Sequence, residues 1–251
     1  MTLTTFQDSP TSAQQEVAPE ANESMMDYPN QKSPNQIKRE LAKATPKFDV
    51  KRMFDLAMCL VLLPFIIPIA GIVGLLILFD SPGPIFFRQK RIGYKGQAFT
   101  IYKFRTMYHK FDDSKHREYM KQYISGQAAT QADGSFKPPI ENQITKTGRF
   151  LRKTSLDELP QLINVLKGDM SIVGPRPHVE WEVQEYEAWH RLRLAVKPGI
   201  TGLAQVNGRS SITFDLLIKY DIDYVRNQSM ALDFQIMIQT VLAVLKRNGA
   251  G

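Results

Sequence analysis

From Leu56 to Phe79 the chain runs for 24 residues, LAMCLVLLPFIIPIAGIVGLLILF, without a charged side chain. As a straight helix this stretch would reach ~36 Å at 1.5 Å per residue, more than the roughly 30 Å of a bilayer core. A core helix of a soluble protein is the competing reading, but such a helix rarely needs so long and unbroken an apolar run. The stretch therefore predicts a membrane segment. Two features argue against a simple crossing. Pro64 and Pro68 fall near the middle, where each removes a backbone hydrogen bond and favours a bend. Both flanks are basic, with Lys43, Lys47, Lys51 and Arg52 before the run and Arg88, Lys90, Arg91 and Lys95 after it. Lysine and arginine mark the cytoplasmic side of membrane segments. A re-entrant hairpin bent at Pro64 and Pro68 satisfies that preference at both ends; a single bent span is the alternative.

Around this segment the chain divides into three parts. Residues 1–45 are rich in Ser, Thr, Gln, Asn, Pro and Glu and read as a disordered tail without the pattern of a signal peptide. Residues 46–80 form the membrane segment, and 81–251 the domain outside it, with 109–141 as a peripheral insertion around a short helix at 114–124. The formal charge of +7 points to a polyanionic neighbour. Between Ile85 and Tyr108 lysines and arginines alternate with aromatic rings and no acid occurs, a mixture suited to a lipid headgroup layer. Single-stranded nucleic acid is the weaker reading beside an apolar segment. Within it, Lys103 and Arg105 fit either this surface or a phosphate pocket. The single cysteine, Cys59, excludes a disulfide framework, and the four histidines lack zinc-ligand spacing.

Chemistry concentrates between Arg149 and Pro177, RFLRKTSLDELPQLINVLKGDMSIVGPRP. Asp157 and Glu158 precede an apolar run, Leu159, Leu162, Ile163 and Leu166, at helical spacing, and Gly168 reads as its stop. Ser155-x-x-Glu158 has the form of a capping box, the structural reading of the acidic pair. Pro160 fits that start poorly and fits Asp157 as N-cap better. A carboxylate there, with Arg149, Arg152 and Lys153 just upstream, is expected to stay ionised, as a nucleophile or metal ligand requires. Gly174-Pro175-Arg176-Pro177 is a stiff turn that presents one guanidinium, a group suited to phosphate. Helices are expected at 179–194, 213–226 and 230–247, a loop at 197–202 and a turn at 205–209, where Arg209 either meets substrate or caps a helix.

Six segments in order, KRMFDLAMCLVLLPFIIPIAG, GPIFFRQKRIG, YKFRTM, LRKTSLDELPQL, GDMSIVGPRP and KPGITGLAQVNGR, resemble the bacterial sugar transferases, the polyisoprenyl-phosphate hexose-1-phosphate transferases. The resemblance runs from about Lys51 to the C-terminus and is to the short form found in exopolysaccharide operons. It implies an α-rich α/β fold: a monotopic membrane protein with a re-entrant helix hairpin and a small catalytic domain with interfacial helices, on the cytoplasmic face of the inner membrane. The implied reaction transfers a hexose 1-phosphate from a UDP-sugar to undecaprenyl phosphate with release of UMP, beginning a surface glycan. Asp157 falls where the family has its nucleophile, near a magnesium ion, and Glu158 where a base assists the second step. Arg152 and Arg176 match phosphate-binding arginines. The resemblance leaves room for other polysaccharide-assembly enzymes or a second copy as partners, and names no nucleic acid. Two departures stand out: Leu63-Pro64 replaces a frequent Ser-Pro at the membrane bend, and Asn142-Gln143-Ile144 replaces a frequent Asp-Pro-Arg. A catalytically silent scaffold of such an assembly is the rival reading, and the intact Asp157, Glu158 and Arg176 argue against it.

Overall fold

A computed structural model of the chain describes residues 48–109, 113–130, 134–136, 141–208 and 211–245. The expected N-terminal tail and Arg209 lie outside these residues. The apolar run forms one long helix, α1 (Phe48–Asp80), which continues through Pro64 and Pro68. The break into two hairpin arms expected at these prolines is therefore not present as an interruption. Ile66, Ala70, Val73 and Ile77 follow a helical three-and-four spacing and, with Cys59, turn toward the rest of the molecule. Leu60, Val61, Phe65, Ile67, Ile72 and Leu75 face outward.

Both ends of α1 are fastened to the same body. At the start, Lys51 Nζ meets Asp233 at 2.5 Å, Arg52 donates to the carbonyls of Val165 and Leu166, and the Ile172 amide donates to Asp55. At the end, the Thr147 amide donates to Asp80 at 2.8 Å and Arg105 donates to the carbonyls of Ser81 and Pro82. Arg105, expected either on the basic surface or in a phosphate pocket, is a buried tether for the chain leaving α1. Its four carbonyl and hydroxyl acceptors, on Ile77, Ser81 and Pro82, explain why so polar a group is tolerated inside.

The basic, aromatic stretch is an antiparallel hairpin of β1 (Phe86–Ile92) and β2 (Ala98–Phe104), paired from Phe86 with Phe104 to Ile92 with Ala98. Asn164 closes the outer edge of β2: its amide nitrogen donates to Thr100 O and its oxygen accepts from Tyr102 N. Then come α2 (Ser114–Ile124), at the predicted bounds, α3 (Lys146–Thr154), a 3-10 turn over Leu156–Gln161, and α4 (Leu162–Lys167), which Gly168 stops at φ 88°. Next, β3 (Ser171–Val173) pairs in parallel with β4 (Gly199–Thr201). That pairing corrects the expected loop at 197–202. It requires glycine on both sides, since a Cβ on Gly199 would lie 2.1 Å from Gly174 N and one on Gly174 would lie 2.4 Å from Lys197 O.

Between these strands the single helix expected over 179–194 is split into α5 (Glu180–Gln184) and a 3-10 segment, Trp189–Ala195. The Glu187 amide donates to His190 Nδ1 at 3.1 Å, so a side chain takes the donor that would continue the helix. Three helices complete the chain: α6 (Leu203–Val206), α7 (Phe214–Asn227) and α8 (Met230–Leu245). The described fold is a mixture of helices and two small two-stranded sheets. Two of its four core clusters bear most directly on the site. One joins Val73 and Ile77 of α1 to Phe104 and Leu151; the other joins Ile92, Tyr186, Phe214 and Ile218 and contains no residue of α1.

Candidate active site

Asp157 and Glu158 stand on the 3-10 turn between α3 and α4. Ser155 ends α3 in the left-handed region at φ 56°, and its carbonyl, not its hydroxyl, accepts the Glu158 amide at 3.2 Å. Neither Ser155 nor Asp157 acts as a helix N-cap, and the Glu158 carboxylate does not return to the backbone. The capping-box explanation of the acidic pair is thereby removed. Pro160 sits inside the turn, and the regular helix begins two residues after it.

The two carboxylates are treated differently. Glu158 Oε1 accepts from Lys103 Nζ at 2.9 Å and from Arg176 Nη1 at 2.8 Å. Burial works against its charge, but Arg176 and Lys103 outweigh burial and hold the carboxyl well below the usual range. Asp157 is more than nine-tenths buried, and its nearest cation, Lys103 Nζ, lies 3.9 Å away. No hydrogen bond to its carboxylate is found among the described residues. Burial therefore dominates and raises its pKa, with Glu158 adding to the rise and Lys103, Arg176 and Arg152 opposing it. Of the three cations expected to favour its charge, Arg149 and Lys153 are exposed and Arg152 acts on Asp157, where Lys103 and Arg176 join it.

Arg152 is oriented by Thr106, whose hydroxyl accepts from its Nε at 3.0 Å. Arg176 is 43% exposed at its side chain, against 14% for Lys103. The structure thus brings together Asp157, Glu158, Lys103, Arg152 and Arg176 of the expected site and excludes Arg105. Pro64 and Pro68 lie in α1, away from it.

Sequence reasoning missed what holds Arg176 in place. Along the segment Gly174–His178, one amide and four successive carbonyls are taken: Gly174 N by Thr201 O, Pro175 O by Gly199 N, Arg176 O by Arg193 Nη2, Pro177 O by Arg91 Nη1 and His178 O by Ile92 N. The prolines at 175 and 177 have no N–H to satisfy. Arg193 is itself buried and bound to Asp221 through Nε and Nη2 at 2.8 and 2.6 Å, while Nη1 donates to Tyr186 Oη at 2.7 Å. Tyr186 in turn reaches His178 Nδ1, and Glu182 accepts the Val179 amide at 2.9 Å. Burial keeps the His178 imidazole well below its ordinary pKa, and hence neutral. Nothing local in the sequence links Arg193 to Asp221, 28 residues away; Arg91 was visible only as one member of a basic stretch.

A metal ion fits this donor set in one manner. No cluster of three or more His, Cys, Asp or Glu suited to a metal occurs among the described residues. Asp157, lacking a hydrogen-bonded partner, offers carboxylate oxygen, and magnesium typically takes only one or two carboxylates with phosphates and water completing its shell.

An acidic pair ringed by lysine and arginine on short, stiff turns is an arrangement suited to phosphate, and it adjoins a long apolar helix. Residues 46–247 match the bacterial sugar transferase family, and the chain belongs to that family. It is 37% identical over 200 residues, 80% of this chain and 87% of the relative, to the exopolysaccharide production protein ExoY of Rhizobium meliloti. It is 39% identical over 216 residues to the undecaprenyl-phosphate galactose phosphotransferase of Salmonella typhimurium, and 38% identical over 200 residues to the UDP-glucose:undecaprenyl-phosphate glucose-1-phosphate transferase of Escherichia coli. The matches cover 85% and 76% of this chain, but only 44% and 39% of those two relatives.

Proposed function

We propose that this protein is an undecaprenyl-phosphate sugar-1-phosphate transferase that takes a hexose 1-phosphate from a UDP-sugar, releases UMP and initiates exopolysaccharide or another surface glycan. The observation that carries the reading is the unequal acidic pair: Glu158 engaged by two cations, and Asp157 beside it with neither hydrogen bond nor close ion pair. In the first step an Asp157 oxygen attacks the sugar-side phosphorus. The bond from that phosphorus to the bridging oxygen breaks, and its electron pair leaves with UMP, giving an aspartyl phosphosugar. In the second, an oxygen of undecaprenyl phosphate attacks the same phosphorus and restores the Asp157 carboxylate. Magnesium, held by Asp157 and the substrate phosphates, would neutralise charge on the diphosphate. Lys103, Arg152 and Arg176 place the phosphates and counter the charge that builds on their oxygens. As Lys103 and Arg176 turn to the phosphates, Glu158 loses the partners that depress its pKa and becomes a better base toward the lipid phosphate.

The topology that suits this chemistry is a re-entrant α1, entering and leaving one leaflet on the cytoplasmic face of the inner membrane. Support comes from its two ends, each bonded to the same domain through Lys51, Arg52 and Asp55 and through Asp80 and Ser81. A spanning helix would carry one end some 30 Å from the other side's contacts. The test is UMP release by the protein in lipid nanodiscs, with magnesium and a panel of UDP-sugars. Release with one sugar, sustained only when undecaprenyl phosphate is present, is expected. No release with any sugar from folded, inserted protein would remove the reading.

A further inference from the structure

Among the described residues, two guanidinium groups near the acidic pair have no carboxylate within ion-pair distance, Arg152 and Arg91. Arg91 is the less well satisfied. Its Nη1 makes one hydrogen bond, to the Pro177 carbonyl at 3.1 Å, and its Nε is buried with no acceptor. A guanidinium carries five N–H donors, and burying such a cation without an anion is costly. Burial pushes its pKa down to about 10, with Glu182 opposing the fall and Arg176 deepening it. Arg193, by contrast, is fully buried and is paired with Asp221 and Tyr186. The molecule can therefore neutralise an internal arginine, and at Arg91 it does not.

Position separates the two unpaired groups. Arg152 is on α3, next to Leu151, which packs on Val73 and Ile77 of the apolar helix. Arg91 is on β1, next to Ile92, whose core contains no residue of that helix and whose amide bonds to His178 O. Through the Pro177 carbonyl, Arg91 is tied to the same turn that presents the accessible Arg176.

We propose that Arg91 is a further binding residue for the donor, taking a phosphate oxygen of the nucleotide diphosphate alongside Arg176. The inference rests on the transferase reading above. It gives the unfilled donors of Arg91 a charge-assisted acceptor of the planar, two-oxygen kind that guanidinium matches best. The Pro177 carbonyl then fixes one edge of the group while the other faces the phosphate.

The test is titration of UMP with magnesium into the full chain in nanodiscs, for wild type, R91Q, R176Q and the double variant. R91Q should weaken UMP by about tenfold, and should weaken it again, at least about fivefold, in the R176Q background. A loss seen only while Arg176 is present would mean that Arg91 acts through the Pro177 carbonyl on the position of Arg176, and would overturn direct binding. Unchanged affinity in both backgrounds would overturn the inference outright. Should R91Q not fold, R91K retains the charge and the Pro177 bond; an affinity equal to wild type would again overturn it, and a loss of several-fold would support it. A second arm measures KM for undecaprenyl phosphate, which R91Q should leave unchanged; a rise there without a loss of UMP affinity would move the group to the acceptor and overturn the donor assignment. Failure of the wild type to bind any UMP would bring down the transferase reading and this inference together, whereas wild-type binding with an indifferent R91Q brings down the inference alone.

Discussion

Two pairs of closely spaced prolines, Pro64 with Pro68 and Pro175 with Pro177, meet opposite fates in this molecule. The first pair is absorbed into α1, which continues as helix past both residues while its apolar side chains face outward. The second pair lies in an extended segment whose carbonyls are each taken by a group from elsewhere: Gly199, Arg193, Arg91 and Ile92. Proline removes a donor in both places. What makes the second segment rigid is the set of partners for its acceptors, two of them guanidinium groups reaching in from distant parts of the chain. A proline pair in the sequence thus marks a backbone under constraint without saying whether a long apolar helix or a fixed turn beside the acidic pair results.

The largest expected effect sharpens this division between anchor and site. Asp157→Asn should lower turnover on the order of 10³-fold or more while leaving the protein in the membrane fraction, because α1 and its tethers are untouched. Steady turnover by the variant would exclude Asp157 as nucleophile.

Next comes the clamp behind Arg176. Arg193→Met leaves Asp221 buried and unpaired, and should cost about 3–5 kcal/mol of unfolding free energy in denaturant titration. The milder Tyr186→Phe keeps the Arg193–Asp221 pair and removes two hydrogen bonds, one with Arg193 Nη1 and one with His178 Nδ1. It should cost about 1 kcal/mol and raise KM for the UDP-sugar more than it lowers kcat. A Tyr186→Phe enzyme with unaltered KM would show that the network supports the fold without tuning Arg176.

The acidic pair separates by pH. The Glu158 carboxyl is held below its unfolded value, so the stability it contributes is present above roughly pH 4.5 and lost as pH falls through the folded-state value. Glu158→Gln should flatten the acid limb of a Tm-against-pH curve. Asp157 has the opposite sign: its raised pKa means that ionising it costs stability as pH rises from about 3.9 through the folded value. Asp157→Asn should therefore steepen the net acid limb that Glu158→Gln flattens. The smallest effect is expected at the other proline pair: Pro64→Ala restores a helix donor and should leave single-turnover UMP release within about twofold of wild type, since nothing in the site contacts it.

The legible parts of the sequence were those whose signal is local. The 24-residue apolar run, the glycine stop at Gly168, the bounds of α2 and the grouping of Asp157, Glu158, Arg152 and Arg176 all rest on spacing within a few turns of chain. Errors arose where long-range partners decided the outcome. Arg105 and Lys103 occupy one motif two residues apart, but Lys103 is still in β2 and reaches the acidic pair, whereas Arg105 lies just past the strand end and reaches the end of α1. The expected helix at 179–194 was lost to a single imidazole acceptor, and β4 was hidden because a three-residue strand of Gly-Ile-Thr carries no periodicity. Arg193 and Asp221 joined only when the fold brought α7 under the turn that bears Arg176.

The most direct measurement is a single-turnover experiment without acceptor. Protein in nanodiscs is mixed with its UDP-sugar and magnesium, UMP is counted, and the chain is digested for mass spectrometry. One UMP per protein, released before any undecaprenyl phosphate is added, together with a hexose phosphate on the peptide containing Asp157, is the predicted result. UMP that appears only after the lipid is supplied, with Asp157 unmodified throughout, would contradict a covalent mechanism and require donor and acceptor to react directly in one complex.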